Sequence, residues 1–398
     1  MPRNIYPVST FYLFVVTRDN FRNSVSSRIV QKSCRIRFQT DDAHVFSPVF
    51  CVAVLNFFPV PVSDECLSSD GRRTGICLNT YECRIQNGKS YGPCALGFGV
   101  CCVFTASCGD VIENNVTYFV SPNFPAITRE PSSCELEVKK VAPDVSQLRL
   151  DFIHFSMGQP NRRTGVCESD TFVIAAGTDR EFSVCGQNSG QHIYFDVEDM
   201  TEPVTIVMNM SREHTARLWE IKVTQIEFQQ RAPSGCLQYH QDGRGVIQTM
   251  NFAENGRHLA NQDYTICMRQ AEGMCSIVYE PCDENSFKIG PAVAPLADDA
   301  GGSGESAIGE AREQCSDKIV MPCDSEEFLS AEGFSTSGLC DLLHCGNSFC
   351  SPGETTCRIE SSTTPFNIRV MFGPAVREES PEDNLGMCLK YEQQPCVS

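Results

Sequence analysis

Residues 108–152 read CGDVIENNVTYFVSPNFPAITREPSSCELEVKKVAPDVSQLRLDF and begin the most regular part of the chain. Short apolar runs follow one another from here, some of period 2 and some continuous, with Pro, Gly and Asn between them. This spacing is typical of an all-β sandwich. The runs that we assign as strands after Cys134 are 145–153, 171–176, 192–197, 204–210 and 217–228.

The alternation in the last of these runs predicts which face is buried. Side chains of a strand point alternately to its two faces. We therefore expect the face with Trp219, Ile221, Val223 and Phe228 to line the core.

Composition limits the class of protein. The chain has 398 residues, 24 cysteines and a net charge of −18. Cysteines at this density indicate disulfides in an oxidising, extracellular compartment. The chain has no Cys-x-x-Cys pair, which disfavours zinc, and an acidic surface disfavours nucleic acid. No run of 18 apolar residues exists, so we predict no membrane span.

Six cysteines in residues 66–102 form a small module that needs disulfides, because so short a segment cannot bury a normal core. Fifteen pairings are open. The spacing, which ends in adjacent Cys101 and Cys102, resembles the clip module of arthropod extracellular serine proteases and their inactive relatives. The resemblance implies a docking or regulatory unit with the pairs Cys66–Cys101, Cys77–Cys94 and Cys83–Cys102; a passive spacer is the alternative.

Residues 108–228 resemble a CUB domain, an antiparallel, jelly-roll-like β-sandwich. The resemblance is carried by four cysteines, the turn Ser121-Pro-Asn-Phe-Pro125, Leu148-Arg-Leu-Asp-Phe152, Cys167-x-x-Asp170 and Cys185-Gly186. It implies the disulfides Cys108–Cys134 and Cys167–Cys185.

Many CUB domains bind calcium and, through it, a basic side chain of a partner, and Asp170 matches one carboxylate position of that site. Calcium needs several oxygen ligands. Segment 155–158 has no carboxylate where the resemblance implies one, and segment 209–214 lacks the aligned Asp and has Arg212 instead. We therefore expect this domain to fold without calcium, with Asp170 a weak calcium candidate.

Residues 236–398 resemble a second, divergent CUB domain, with the order of cysteines and strands of the first. Its implied pairs are Cys236–Cys267 and Cys315–Cys345, and the pairing of the other eight cysteines stays open. Asp317 is its weak calcium candidate, one residue short of the Cys-x-x-Asp spacing. Residues 291–314 are Gly-rich and acidic, so we predict a disordered insertion.

Residues 1–65 have no clear organisation. The apolar run 11–16 is short for a signal peptide and is not followed by a small-residue cleavage site. We interpret this segment as disordered, as a degenerate signal or as a mis-assigned start, with Cys34 and Cys51 outside the disulfide framework.

No catalytic motif of a serine protease or zinc protease is present, so we predict that the chain is not an enzyme. Two sequons, at Asn115 and Asn209, predict glycans. We expect a secreted, non-catalytic adaptor that binds extracellular proteins. The alternatives are a structural protein of matrix, cuticle or egg coat and a regulator of an extracellular protease cascade. The partner, the tissue and the oligomeric state stay open.

Overall fold

A computed structural model describes residues 65–291 except 178, 179, 201, 254 and 255, together with 315–322, 343–350, 357–375 and 380–396. It also gives the backbone of 32–34 and 49–51. The chain forms two compact units, 1–58 and 59–398. In the first unit, β1 (Lys32–Cys34) pairs antiparallel with β2 (Val49–Cys51). Our expectations for the rest of 1–65 and for 292–314 lie outside the described residues.

The second unit begins with the six-cysteine module. A short helix lies beside four strands, and the last strand continues into the next domain. The elements are β3 (Glu65–Leu67), β4 (Thr74–Leu78), α1 (Thr80–Ile85), β5 (Lys89–Cys94) and β6 (Gly99–Ala106). Asn79 caps the helix, because its Oδ1 accepts the Glu82 N–H at 2.8 Å.

The first sandwich consists of two sheets whose apolar faces meet. Its strands are β7 (Val111–Ile112), β8 (Val116–Val120), β9 (Ser132–Val138), β10 (Val145–Ser156), β11 (Asp170–Ala176), β12 (Arg180–Val184), β13 (His192–Asp196), β14 (Val204–Met210) and β15 (Leu218–Glu227). One sheet has the order β12-β11-β14-β9-β7. The other runs β13-β10-β15-β8 and continues through β6, β4 and β3 of the module, with β5 also paired to β6.

The core prediction for the last strand of this sandwich is right at three positions and wrong at one. Trp219, Ile221 and Val223 are fully buried. Phe228 is 49% exposed. It lies an odd number of positions after Trp219, so strict alternation places it on the opposite face, and β15 already ends at Glu227. The Arg231 guanidinium carbon lies 4.1 Å from the centre of the Phe228 ring.

The second sandwich follows after a short connection. Its strands are β16 (Cys236–His240), β17 (Arg244–Gln248), β18 (Gln262–Met268), β19 (Met274–Pro281), β20 (Phe287–Lys288), β21 (Lys318–Val320), β22 (Leu343–His344), β23 (Ile359–Ser361), β24 (Asn367–Phe372) and β25 (Gly386–Pro395). One sheet has the order β16-β18-β24-β21-β22. The other has β17-β25-β19-β23, with β20 also paired to β25.

The predicted all-β class of two sandwiches behind a disulfide-rich module is confirmed. Most pairings are antiparallel, but β6–β8, β7–β9 and β16–β18 are parallel. No helix among the described residues has the length and apolar character that crossing a membrane would require.

Ten disulfides join cysteines in the described part of the chain. In the module and the first sandwich they are Cys66–Cys101, Cys77–Cys94, Cys83–Cys102, Cys108–Cys134 and Cys167–Cys185. In the second sandwich they are Cys236–Cys267, Cys315–Cys345, Cys275–Cys396, Cys282–Cys388 and Cys350–Cys357. Seven of these coincide with the pairs that the resemblances imply. The other three assign cysteines that the sequence left open, and Cys323 and Cys340 lie outside the described residues.

Candidate functional site

Asp170 lies at one end of the first sandwich, where it begins β11. Its carboxylate faces Arg217, the residue before β15. Arg217 Nε lies 2.6 Å from Asp170 Oδ2, and Nη2 lies 2.8 Å from Oδ1. Neither side chain is exposed to solvent. The weak calcium candidate is therefore one half of a buried, bidentate ion pair.

The neighbouring residues leave Asp170 no free side for a metal ion. The Gly158 N–H donates to Asp170 Oδ2 at 2.7 Å. Gly158 lies in the segment where the resemblance implies a further acidic residue, and a Cβ on it would stand only 2.8 Å from the same oxygen. In the part of the chain that the structure describes, no three His, Cys, Asp or Glu side chains are arranged to hold a metal. The residues at this end do not fit a calcium ion.

Asp317, the second candidate, occupies a corresponding place in the second sandwich. Its Oδ1 accepts the Gly373 N–H at 2.7 Å, and its Oδ2 lies 3.6 Å from His258 Nε2. His258 is buried, and burial, helped by the nearby Arg257 charge, lowers its pKa to about 4. The ring is thus neutral at pH 7, and Nε2 lies 3.0 Å from Asn384 Oδ1, as in a hydrogen bond that it donates.

The two sandwiches meet along a polar seam centred on Asn251. Its Oδ1 accepts the Gln187 N–H at 2.8 Å, and its own N–H donates to Asn188 Oδ1 at 2.7 Å. Its Nδ2 donates to Gln159 Oε1 at 3.0 Å. One buried residue of the second sandwich therefore binds three residues of the first, which fixes the two domains against each other.

Histidines line the same seam. His192 of β13 has its Nε2 at 3.1 Å from both the backbone N and O of Tyr239 in β16. Its ring centre lies 5.0 Å from that of His240. Burial, with the nearby Arg149 charge, lowers the pKa of both rings to about 4. Both are neutral at pH 7, and their geometry is that of packing groups rather than of catalytic bases.

The six-cysteine module exposes apolar side chains on its own surface. Tyr81 and Ile85, one turn apart on α1, are each 59% exposed. Leu96 is fully exposed and has a φ of 56°, which is unusual for a residue other than glycine. Leu67 and Phe98 are also exposed. These five residues make the module the most apolar exposed part of the described chain.

Both sequons lie on accessible strands or turns. Asn115 is exposed beside β8. Asn209 is exposed on β14, and its Oδ1 accepts the Ser133 hydroxyl at 3.2 Å. Both Asn side chains are exposed to solvent in the folded sandwich.

The sequence did not show which residue contacts Asp170 or which residue joins the two sandwiches. Arg217 begins a predicted strand, and its contact with Asp170 spans 47 positions, so no local pattern shows it. Asn251 carried no signal, since a single Asn between strands is usual for a turn.

Each of the two sandwiches matches a protein-family model. Residues 108–223 match the family model described as CUB domain, and residues 233–394 match that described as animal CUB domain. No curated protein matches the chain.

Solved structures that resemble the chain also carry CUB domains. The CUB1-EGF-CUB2 domains of rat MASP-1 are 11% identical, with a TM-score of 0.25, 72% of this chain and 99% of that one covered. The human MASP-1/3 fragment is 13% identical, with a TM-score of 0.24 and coverage of 71% and 100%. The MASP-1 CUB2 domain bound to Ca²⁺ is 16% identical, with a TM-score of 0.25 and coverage of 29% and 98%. We draw no conclusion from likenesses this distant.

Proposed function

This chain contains two CUB domains, and we propose that it is a secreted, non-catalytic adaptor that binds extracellular proteins. CUB domains are non-catalytic modules that mediate protein–protein interaction. The observation that carries the proposal is the polar seam at Asn251, which holds the two sandwiches in one fixed arrangement. A surface ordered before contact loses less entropy on binding.

Secretion is supported by the ten disulfides of the described residues. Bonds of this kind persist in oxidising compartments and are rare where thiols are kept reduced. The accessible sequons at Asn115 and Asn209 agree with passage through a glycosylating pathway.

A role as regulator of a protease cascade is the second candidate, favoured by the exposed apolar side chains of the module. Five of the large apolar side chains that are exposed in the described residues lie on this small unit. A structural role through glycan binding has less support. The one Trp of the chain, Trp219, is fully buried and cannot offer a stacking face to a sugar.

The adaptor function is tested by using the full secreted chain as bait in extracellular fluid, once with calcium and once with a chelator. We expect one dominant protein partner in both samples at a constant ratio to the bait. Retention only on copies of itself or on polysaccharide would contradict the proposal and favour the structural role. Recovery of a protease whose binding is lost in a Leu96→Ser variant, but not in the surface control Asn87→Ser, would favour the regulator.

A further inference from the structure

We propose that the side chain of Arg217 takes the place of a bound cation at the end of the first CUB domain where Asp170 lies. Its guanidinium, and not a metal ion, holds the surrounding loops together, so that this end is assembled without calcium. Arg217 has five N–H donors, and five oxygen atoms lie within hydrogen-bond reach of them.

Two of the five oxygens belong to the carboxylate of Asp170, at 2.6 and 2.8 Å. The other three are backbone carbonyls. Arg217 Nη1 donates to the carbonyls of Arg129 and Thr215, each at 3.3 Å, and Nη2 donates to that of Arg212. Carboxylate and carbonyl oxygens are also the ligand types that a calcium ion gathers in proteins. Here a guanidinium occupies the centre of the oxygen cage.

The contacts of this cation connect separate segments of the chain. Arg129 follows β8, Arg212 and Thr215 follow β14, and Asp170 begins β11. Asp170 in turn binds the Gly158 N–H, just after β10. The backbone of Arg217 pairs with Thr128 through N–H···O bonds of 2.9 Å in both directions. The buried Arg217–Asp170 pair thus joins three loops: β8–β9, β10–β11 and β14–β15.

Charge and space at this site both oppose a metal ion. The single carboxylate is neutralised by a single guanidinium, and both are fully buried. A buried charge is tolerated when it is paired and fully hydrogen-bonded, as this one is. Gly158 packs so closely on Asp170 that no side chain can be added there without displacing the carboxylate.

The experiment measures thermal unfolding of the full secreted chain in millimolar calcium and in chelator. Trp219, two residues from Arg217 and fully buried, gives a local fluorescence signal. We expect the same Tm and the same Trp219 emission in both conditions. The variants Arg217→Met and Asp170→Asn should each lower the Tm by about 10 °C, because each leaves a buried group without its partner.

The double variant and a control distinguish this role from a general loss of packing. The double variant Asp170→Asn/Arg217→Met should lose less Tm than the sum of the two single losses, since no unpaired charge remains in it. Arg212→Met removes an exposed guanidinium from the same loop end and should leave the Tm unchanged. A Tm of the wild-type chain that rises by many degrees in calcium would overturn the proposal. Additive losses in the double variant would do the same. If the single variants are not secreted, the calcium comparison on the wild type still decides.

Discussion

Gly186 lies at the seam between the two domains and has no room for a side chain. Its φ is 82°, in the left-handed region that favours glycine. A Cβ at this position would lie 2.1 Å from Asn251 Oδ1, the atom that accepts the Gln187 N–H. The glycine after Cys185 is therefore required by a side chain of the other domain as well as by its own backbone.

We predict that Gly186→Ala lowers the free energy of unfolding by about 3 kcal/mol or more, because strain and a steric clash act together. Gly190→Ala is the matched control, since Gly190 has a φ of 85° but a Cβ added to it would meet no atom within 4 Å. The control should lose about 1 kcal/mol, from backbone strain alone. Chemical denaturation of both variants measures the difference, and equal losses would show that the seam does not constrain Gly186.

At the scale of secondary-structure elements, β6 makes the six-cysteine module and the first sandwich one sheet. Its first half pairs with β4 and β5, and its second half pairs in parallel with β8. The Arg73 Nε of the module donates to Glu220 Oε1 of β15 at 2.6 Å, and its guanidinium lies over the Tyr118 ring. Glu220, which the alternation of β15 predicts to point outward, is buried because the module covers it. The module is thus an extension of the domain.

Arg73→Met should lower the free energy of unfolding of the full chain by about 2 kcal/mol, since it removes the guanidinium that binds the buried Glu220 carboxylate and leaves the His154 ring, 3.8 Å away, beside it. Arg72→Met, at the exposed neighbouring position, should change it by less than about 0.5 kcal/mol. Hydrogen exchange of the amides in β6 and β8 locates the effect. Unchanged exchange in Arg73→Met would mean that the junction is held by the backbone pairing alone.

At the scale of the whole molecule, the two CUB domains form one body through a seam that contains ionisable groups. Three of the seven histidines of the chain lie at this seam or directly behind it: His192, His240 and His258. Arg149, Asp151 and Asp242 are the charged groups that act on the first two rings. Arg257 acts on the third, which also faces the Asp317 carboxylate at 3.6 Å. Each ring has a pKa of about 4 in the folded chain.

The sign of the resulting pH dependence follows from this lowering. The ordinary pKa of histidine is 6.5, so the unfolded chain binds protons first as the pH falls. The contribution of these neutral rings to the free energy of unfolding is fully present above about pH 6.5. It is lost as the pH falls towards 4, by at most about 3 kcal/mol for each ring. We expect the Tm to fall between pH 6.5 and 5, and the fall to be smaller in His192→Gln/His240→Gln. His214→Gln, at an exposed position, should follow the wild type; a pH profile that the double variant leaves unchanged would contradict this origin.

By itself, the amino-acid sequence indicated the CUB resemblance of both sandwiches, the oxidising compartment that the cysteines favour, and five of the six strands that follow Cys134 in the first sandwich. It did not indicate β12 (Arg180–Val184). These properties are encoded locally, since the two-residue period of a strand and the spacing of cysteines can be read without knowing what lies opposite. The same local signal placed Trp219 and Ile221 in the core. It failed at Phe228, because Phe228 lies an odd number of positions after Trp219 and strict alternation therefore places it on the opposite face.

Only the tertiary structure decided which side chains meet. Asp170 and Arg217 are 47 positions apart, and Arg73 and Glu220 are 147 apart. Gly186 and Asn251 belong to different domains. The sequence offered Asp170 as a candidate calcium ligand because it matches one carboxylate position that the CUB resemblance implies. Its actual partner depends on which loops the sheet order brings to one end of the sandwich, and that order is a property of the whole fold.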